Sequence, residues 1–161
     1  MHKEILVIDD NPDIRSLVGN ILKETNYEVR TAANYDQAVF ELNKKLPDLA
    51  IIDIKLDKAD KDGIDLLKLV TKKDKFTPVI MISGHATVQI AIEAMRLGAY
   101  EFIEKPFSKE KILNYINRAL ESSQLKKDKD IIEKKLFHSF DLIGKSPSIM
   151  KVKKIIEKLN T

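Results

Sequence analysis

A chain of 161 residues, 43% of them hydrophobic, can form one domain of ordinary size with some extra and is too apolar to stay disordered. It has no cysteine, which excludes a disulfide framework and a thiolate metal site and suits a reducing compartment. With 28 basic and 25 acidic residues the net charge of +3 singles out no class of partner, and no apolar run is long enough to span a bilayer.

The first residues run directly into a strand pattern without the features of a signal peptide, so a cytoplasmic protein with no membrane partner is expected. The run Ile5-Leu6-Val7-Ile8 is apolar on both faces and ends in Asp9-Asp10. Ile14, Leu17, Val18, Ile21 and Leu22 then recur at helical spacing, with Asn11 placed to cap the helix and Pro12 at its first position. A short strand at 28–31 precedes a second helical pattern at 35–46, built on Ala38, Val39, Leu42 and Leu46. The strand Leu49-Ala50-Ile51-Ile52 repeats the form of the first and also ends in an acid, Asp53.

A polar loop at 55–62 leads to a third helix with Ile64, Leu66, Leu67 and Val70 inward. The fourth strand, 79–82, ends at Ser83-Gly84, and the fourth helix, 87–97, is stopped by Gly98. The fifth strand, 100–103, ends near Lys105-Pro106, and Ser108 can cap a last helix carrying Ile112, Leu113, Ile116, Ala119 and Leu120. Residues 122–135 are highly charged and their apolar residues are sparse. Leu125 and Ile132 stand one heptad apart, but an exposed helical linker fits better than a coiled coil or a nucleic-acid-binding tail. Residues 140–160 start a new pattern, too short to build a core alone.

Strand and helix alternating five times predict an α/β fold, a parallel sheet covered on both faces. Such sheets place ligands at the carboxyl ends of their strands. Asp9, Asp10, Asp53, Ser83 and Lys105 all fall there, on four different strands. Crowded carboxylates repel unless a proton or cation neutralises them, and a hard divalent ion with oxygen ligands suits three of them. A reachable carboxylate beside a metal, a hydroxyl and an ammonium group can act as a nucleophile toward phosphorus.

Asp9-Asp10, Asp53, Ser83 and Lys105-Pro106-Phe107, in this order, resemble the receiver domain of two-component response regulators over about residues 3–122. The runs Ser83-Gly84-His85-Ala86-Thr87 and Gly98 through Phe107 look most like its nitrogen-regulation branch, the NtrC and NtrX type. That resemblance implies a flavodoxin-like doubly wound sheet of order 2-1-3-4-5 with five helices. It implies Asp53 as phosphoacceptor and a Mg2+ ion held by Asp10, Asp53, Asp9 through water, and the backbone carbonyl of Lys55. Ser83 and Lys105 would bind the phosphoryl group, and Phe102 would turn inward on activation. The partners it implies are a sensor histidine kinase and a second copy, bound through the fourth helix, fifth strand and fifth helix and through the linker. Such a chain is a phosphoacceptor switch rather than an enzyme. Residues 1–122 would be the receiver, 123–139 a charged linker and 140–161 the start of a sigma-54-interacting AAA+ domain, to which Leu142-Ile143-Gly144-Lys145-Ser146-Pro147 is similar. DNA and sigma-54 polymerase would be reached only through further domains.

Two features depart from the family's pattern. Ile54-Lys55-Leu56 replaces the usual Met-Pro, and the loop to Gly63 is about two residues longer. Lys55 and His85 occupy the positions that flank the attacking water in the family, and are expected to tune phosphoryl lifetime. A calcium loop at 57–63 is rejected, since Lys58 and Leu69 stand where ligands belong, and Gly144-Lys145-Ser146 lacks the first glycine of a nucleotide-binding loop. The rival chemistry, a haloacid-dehalogenase-type phosphatase, places Asp-x-Asp after its first strand, whereas this chain has Asp9-Asp10-Asn11 there. A dimerisation module that is never phosphorylated shares the fold.

Overall fold

The computed structural model describes residues 2–56 and 61–143. Positions 57–60 of the long loop, and the sequence from Gly144 likened to an ATPase domain, lie outside the described residues. The chain divides into two compact units, Met1–Ser123 and Gln124–Thr161.

Five parallel strands form the sheet of the first unit: β1 (Glu4–Ile8), β2 (Glu28–Ala32), β3 (Leu49–Asp53), β4 (Val79–Ser83) and β5 (Glu101–Glu104), in the order β2-β1-β3-β4-β5. The helices are α1 (Pro12–Glu24), α2 (Tyr35–Lys44), α3 (Gly63–Lys73), α4 (Val88–Arg96) and α5 (Lys109–Ile143). This is the flavodoxin-like α/β fold expected from the alternation and the resemblance.

Alternate side chains of each strand feed two separate cores. Ile5, Val7, Ile51, Ile80 and Ile82 pack with Val18 and Leu22 of α1 and with Ile112, Ile116 and Ala119 of α5. Leu6, Ile8, Ile52 and Met81 pack on the opposite face with Ala38 and Leu42 of α2, Leu66, Leu67 and Val70 of α3, and Ala94 of α4. Leu17 is 48% exposed because it sits at the edge of the α1 apolar stripe that Val18, Ile21 and Leu22 fill.

Each helix start has a chemical cause. Asn11, Asn34 and Thr87 accept from the N–H groups of Asp13, Gln37 and Ile90, and Ser108 Oγ accepts from Lys111 N–H. At α3 the Asp62 and Asp65 side chains cap reciprocally, a pairing not read from the sequence. Gly98, at φ 108°, supplies the left-handed turn that ends α4. β5 lies one residue later than expected, and the Lys105-Pro106 bond is cis. In the second unit, residues 124–143 are helical with Leu125 and Ile132 exposed, and an Asp130–Lys134 ion pair of 3.1 Å lies one turn apart. No helix among the described residues is long and apolar enough to cross a membrane.

Candidate functional site at the carboxyl edge of the sheet

Parallel pairing carries all five strand ends to one edge, and the register decides which residues meet there. Ile8 pairs with Ile52, Asp53 with Ile82, and Ser83 with Glu104. Asp53 and Ser83, the last residues of β3 and β4, and Asp9 and Lys105, just past β1 and β5, therefore share one neighbourhood.

Asp9 is completely buried. Its Oδ1 accepts the Asn11 N–H at 2.9 Å, while Oδ2 has no aligned hydrogen-bond donor and is held by the Lys105 ammonium at 2.8 Å. Asp53 is 5% exposed; its Oδ2 lies 3.2 Å from Lys105 Nζ, and its Oδ1 accepts the Lys55 N–H at 3.3 Å. Burial first, and the Asp9 charge second, push the Asp53 pKa up to about 6, although Lys105 pulls the other way. Burial also works against the charge on Lys105, but hydrogen bonding and attraction to Asp9 and Asp53 outweigh it, so the ammonium titrates above its ordinary range.

Asp10 is exposed, and Asp9, Asp10 and Asp53 each offer an oxygen within 4.8 Å of the others. One ammonium therefore serves Asp9 and Asp53 while Asp10, unpaired among the described residues, stands beside them, and the charge left over suits a divalent cation with oxygen ligands. Ser83 is 3% exposed at the rim of the same edge, its Oγ accepting the His85 N–H at 3.1 Å. Lys55 and His85 are exposed beside these residues in sequence, and Lys55 reaches Asp53 through its backbone. Phe102 is not among the polar groups; it is half-buried against the core on the α2, α3 and α4 side. Val88, Ile92 and Met95 of α4 are exposed.

Two supporting residues escape a reading of the sequence. Gly63 appears there only as a helix start, yet its N–H donates to the Ile54 carbonyl at 2.8 Å and a Cβ would lie 2.0 Å from the Asp53 carbonyl oxygen. Only glycine lets α3 approach the end of β3 so closely. Arg15 has no role on sequence grounds, but its Nη1 donates to the Asp9 carbonyl at 2.6 Å. The available signals were a glycine directly after a capping acid and a long cation in the first turn of α1.

Residues 5–117 match the response regulator receiver domain family. A putative NtrX-like response regulator of Rickettsia bellii is 36% identical over 155 residues, covering 96% of this chain and 32% of that protein. The crystal structure of NtrX from Brucella abortus matches with a TM-score of 0.79 and 39% identity, over 98% of this chain and 35% of that one. The solution structure of the beryllofluoride-activated NtrC4 receiver domain dimer matches with a TM-score of 0.70 and 33% identity, over 74% of this chain and 98% of that one. The chain thus spans about a third of the length of the curated relatives it matches.

Proposed function

The chain belongs to the response regulator receiver domain family, and from that premise we propose that it is a phosphorylation switch in which Asp53 accepts a phosphoryl group from a sensor kinase's phosphohistidine. The supporting observation is the Lys105 ammonium held between Asp9 and Asp53, with Asp10 completing an acidic cluster.

A carboxylate oxygen of Asp53 attacks phosphorus; the phosphorus–nitrogen bond to the donor imidazole breaks, and its electron pair returns to the ring nitrogen, which is then protonated from solvent. Asp9, Asp10, Asp53 and the Lys55 carbonyl would hold Mg2+, their all-oxygen donor set matching a hard cation. When bound, that ion neutralises and orients the phosphoryl oxygens. Lys105 exchanges part of its contact with Asp53 for a phosphoryl oxygen, and the Ser83 hydroxyl turns from the His85 N–H to donate to another. Hydrolysis returns inorganic phosphate and free Asp53, with Lys55 and His85 placed to tune its rate.

Phosphorylation adds about −1.5 to −2 charges beside Lys105, enough to bias two existing states. Movement of Ser83 leaves space for Phe102 to turn inward, which couples the site to the α4–β5–α5 face. The exposed Val88, Ile92 and Met95 support that face as the surface for a second copy. We assign residues 1–122 to the receiver, 123–139 to a charged helical linker and 140–161 to the opening of an AAA+ domain. In this reading the protein works in the cytoplasm as the input of a sigma-54-dependent activator, and DNA and polymerase are met by other parts of a longer chain. The function is that of a switch, not of a haloacid-dehalogenase-type phosphatase.

Acetyl phosphate with Mg2+ should produce a hydroxylamine-sensitive phosphoryl mass increment that maps to Asp53 and is missing in Asp53→Asn. No increment at Asp53 would return the chain to the alternative of an unphosphorylated dimerisation module. Solution mass with and without beryllofluoride and Mg2+ tests the second-copy surface; an unchanged mass would remove the dimer from the mechanism.

A further inference from the structure

The turn between β1 and α1 has only three residues, Asp9, Asp10 and Asn11, and two of them are acids of the candidate cation site. The Asp9 N–H still donates to the Ala32 carbonyl at 3.2 Å, and its Oδ1 is tied to the Asn11 N–H. The Asp9 carbonyl is bonded from α1, by the Arg15 side chain at 2.6 Å. Arg15 is the fourth residue of α1, and the first whose own N–H closes a helical bond, to the Asn11 carbonyl at 3.2 Å. Helical side chains lean toward the helix N-terminus, so an arm at this position reaches back over the turn that precedes it.

The Asp10 carboxylate has no hydrogen bond or ion pair among the described residues. Its direction follows from the backbone at Asp9-Asp10, whose shared peptide carries the carbonyl that Arg15 grips. A guanidinium donating to a carbonyl is a charge-assisted bond, stronger than its neutral counterpart.

We propose that Arg15 is a positioning residue for the cation site, holding the Asp9–Asp10 peptide so that the Asp10 carboxylate points at the oxygens of Asp9 and Asp53. The inference rests on the reading of those three acids as a Mg2+ site. Arg15 reaches no cation itself and acts through the acids, as residues behind metal ligands do. It also lines an open groove of about 400 Å³ with Ser16, Gly19 and Thr31, so truncation opens onto solvent and leaves no sealed void.

The test is calorimetric titration of Mg2+ into the metal-free full chain. Arg15→Ala is expected to weaken Mg2+ binding by about tenfold, the lower end for loss of a group behind a metal ligand. Arg15→Lys, which keeps a cation on a long stem, should recover most of that loss. In an Asp10→Asn background Arg15→Ala should cost little more, because the two act as one unit. Arg15→Gln, which retains most of the stem, repeats the measurement if the alanine variant does not fold. Wild-type binding with unchanged affinity in the Arg15 variants overturns the positioning role alone, as does a full Arg15→Ala loss in the Asp10→Asn background. A wild-type chain that binds no Mg2+ overturns the cation site and this inference together.

Discussion

The two ends of the sheet handle charge in opposite ways. At the amino end Arg30 lies 3.0 Å from Glu4 and 2.8 Å from Glu41, and donates to the Glu41 and Lys45 carbonyls at 3.1 and 2.6 Å. Glu4 and Asp48 add a reciprocal pair of backbone-anchored bonds, 2.8 and 2.9 Å long. One guanidinium there also faces two carboxylates, but all three groups keep 17–22% of their side-chain surface in water, which screens the charge left over. At the carboxyl end one ammonium serves two buried acids while a third stands exposed beside them. A surplus that water can screen costs little, whereas the same surplus in a shielded place is unstable until a proton or a cation arrives.

Breaking the imbalance from the positive side should have the largest effect. Lys105→Met leaves Asp9, completely buried, with its Oδ2 facing no charge, and removes the group that restrains the Asp53 pKa. Loss of one member of a buried pair is expected to cost about 3 kcal/mol at pH 7 to 8 in the absence of metal. Urea unfolding would show this, and added Mg2+ should restore part of it. Equal stability of wild type and variant would mean that the acids are not strained by one another.

Relieving the surplus from the negative side should act in the other direction. Asp53 ionises near pH 6 in the folded chain, against 3.8 as the ordinary value, so the folded state holds a proton that the unfolded state has lost across that interval. The stabilisation is complete below about pH 4 and disappears as pH rises through about 6. Asp53→Asn should therefore be more stable than wild type at pH 7.5 by about 2 kcal/mol, with the gap closing toward pH 4. Thermal melts across pH measure this directly, and a gap independent of pH would remove the charge from the explanation. Mg2+ should stabilise the wild type and have little effect on the variant.

The same contrast separates what the sequence discloses from what it withholds. Apolar runs that stop at an acid, as at Ile8-Asp9 and Ile52-Asp53, reveal both a buried strand and the edge where its chemistry lies, because one local pattern carries both. The role proposed for Phe102 came from family resemblance alone, since a phenyl in a core has no signature of its own, whereas Ser83 stood out because its hydroxyl ends a strand at the same edge as the acids and the ammonium. Gly63 and Arg15 were missed for a geometric reason: one meets Asp53 across a loop and the other meets Asp9 backward across a turn, and neither distance is a property of spacing. At the amino end the three-way grip of Arg30 was equally invisible, since Glu4 and Glu41 are 37 positions apart in the chain.

That grip provides the smallest effect and the sharpest control. Arg30 and its two acids keep 17–22% of their side-chain surface exposed, so water can replace much of what the guanidinium supplies. Arg30→Ala is expected to cost about 1 kcal/mol, mostly from the carbonyls it bonds and the packing of its stem. Mg2+ affinity and phosphoryl acceptance should stay within about twofold of wild type, because a one-kcal/mol loss confined to the far end of a rigid sheet does not reorient the acids. Calorimetry on this variant beside Lys105→Met decides whether the two ends are independent. A drop in Mg2+ affinity as large as the stability loss would show that the charge networks communicate through β1, where Glu4 and Asp9 bound the same five-residue strand.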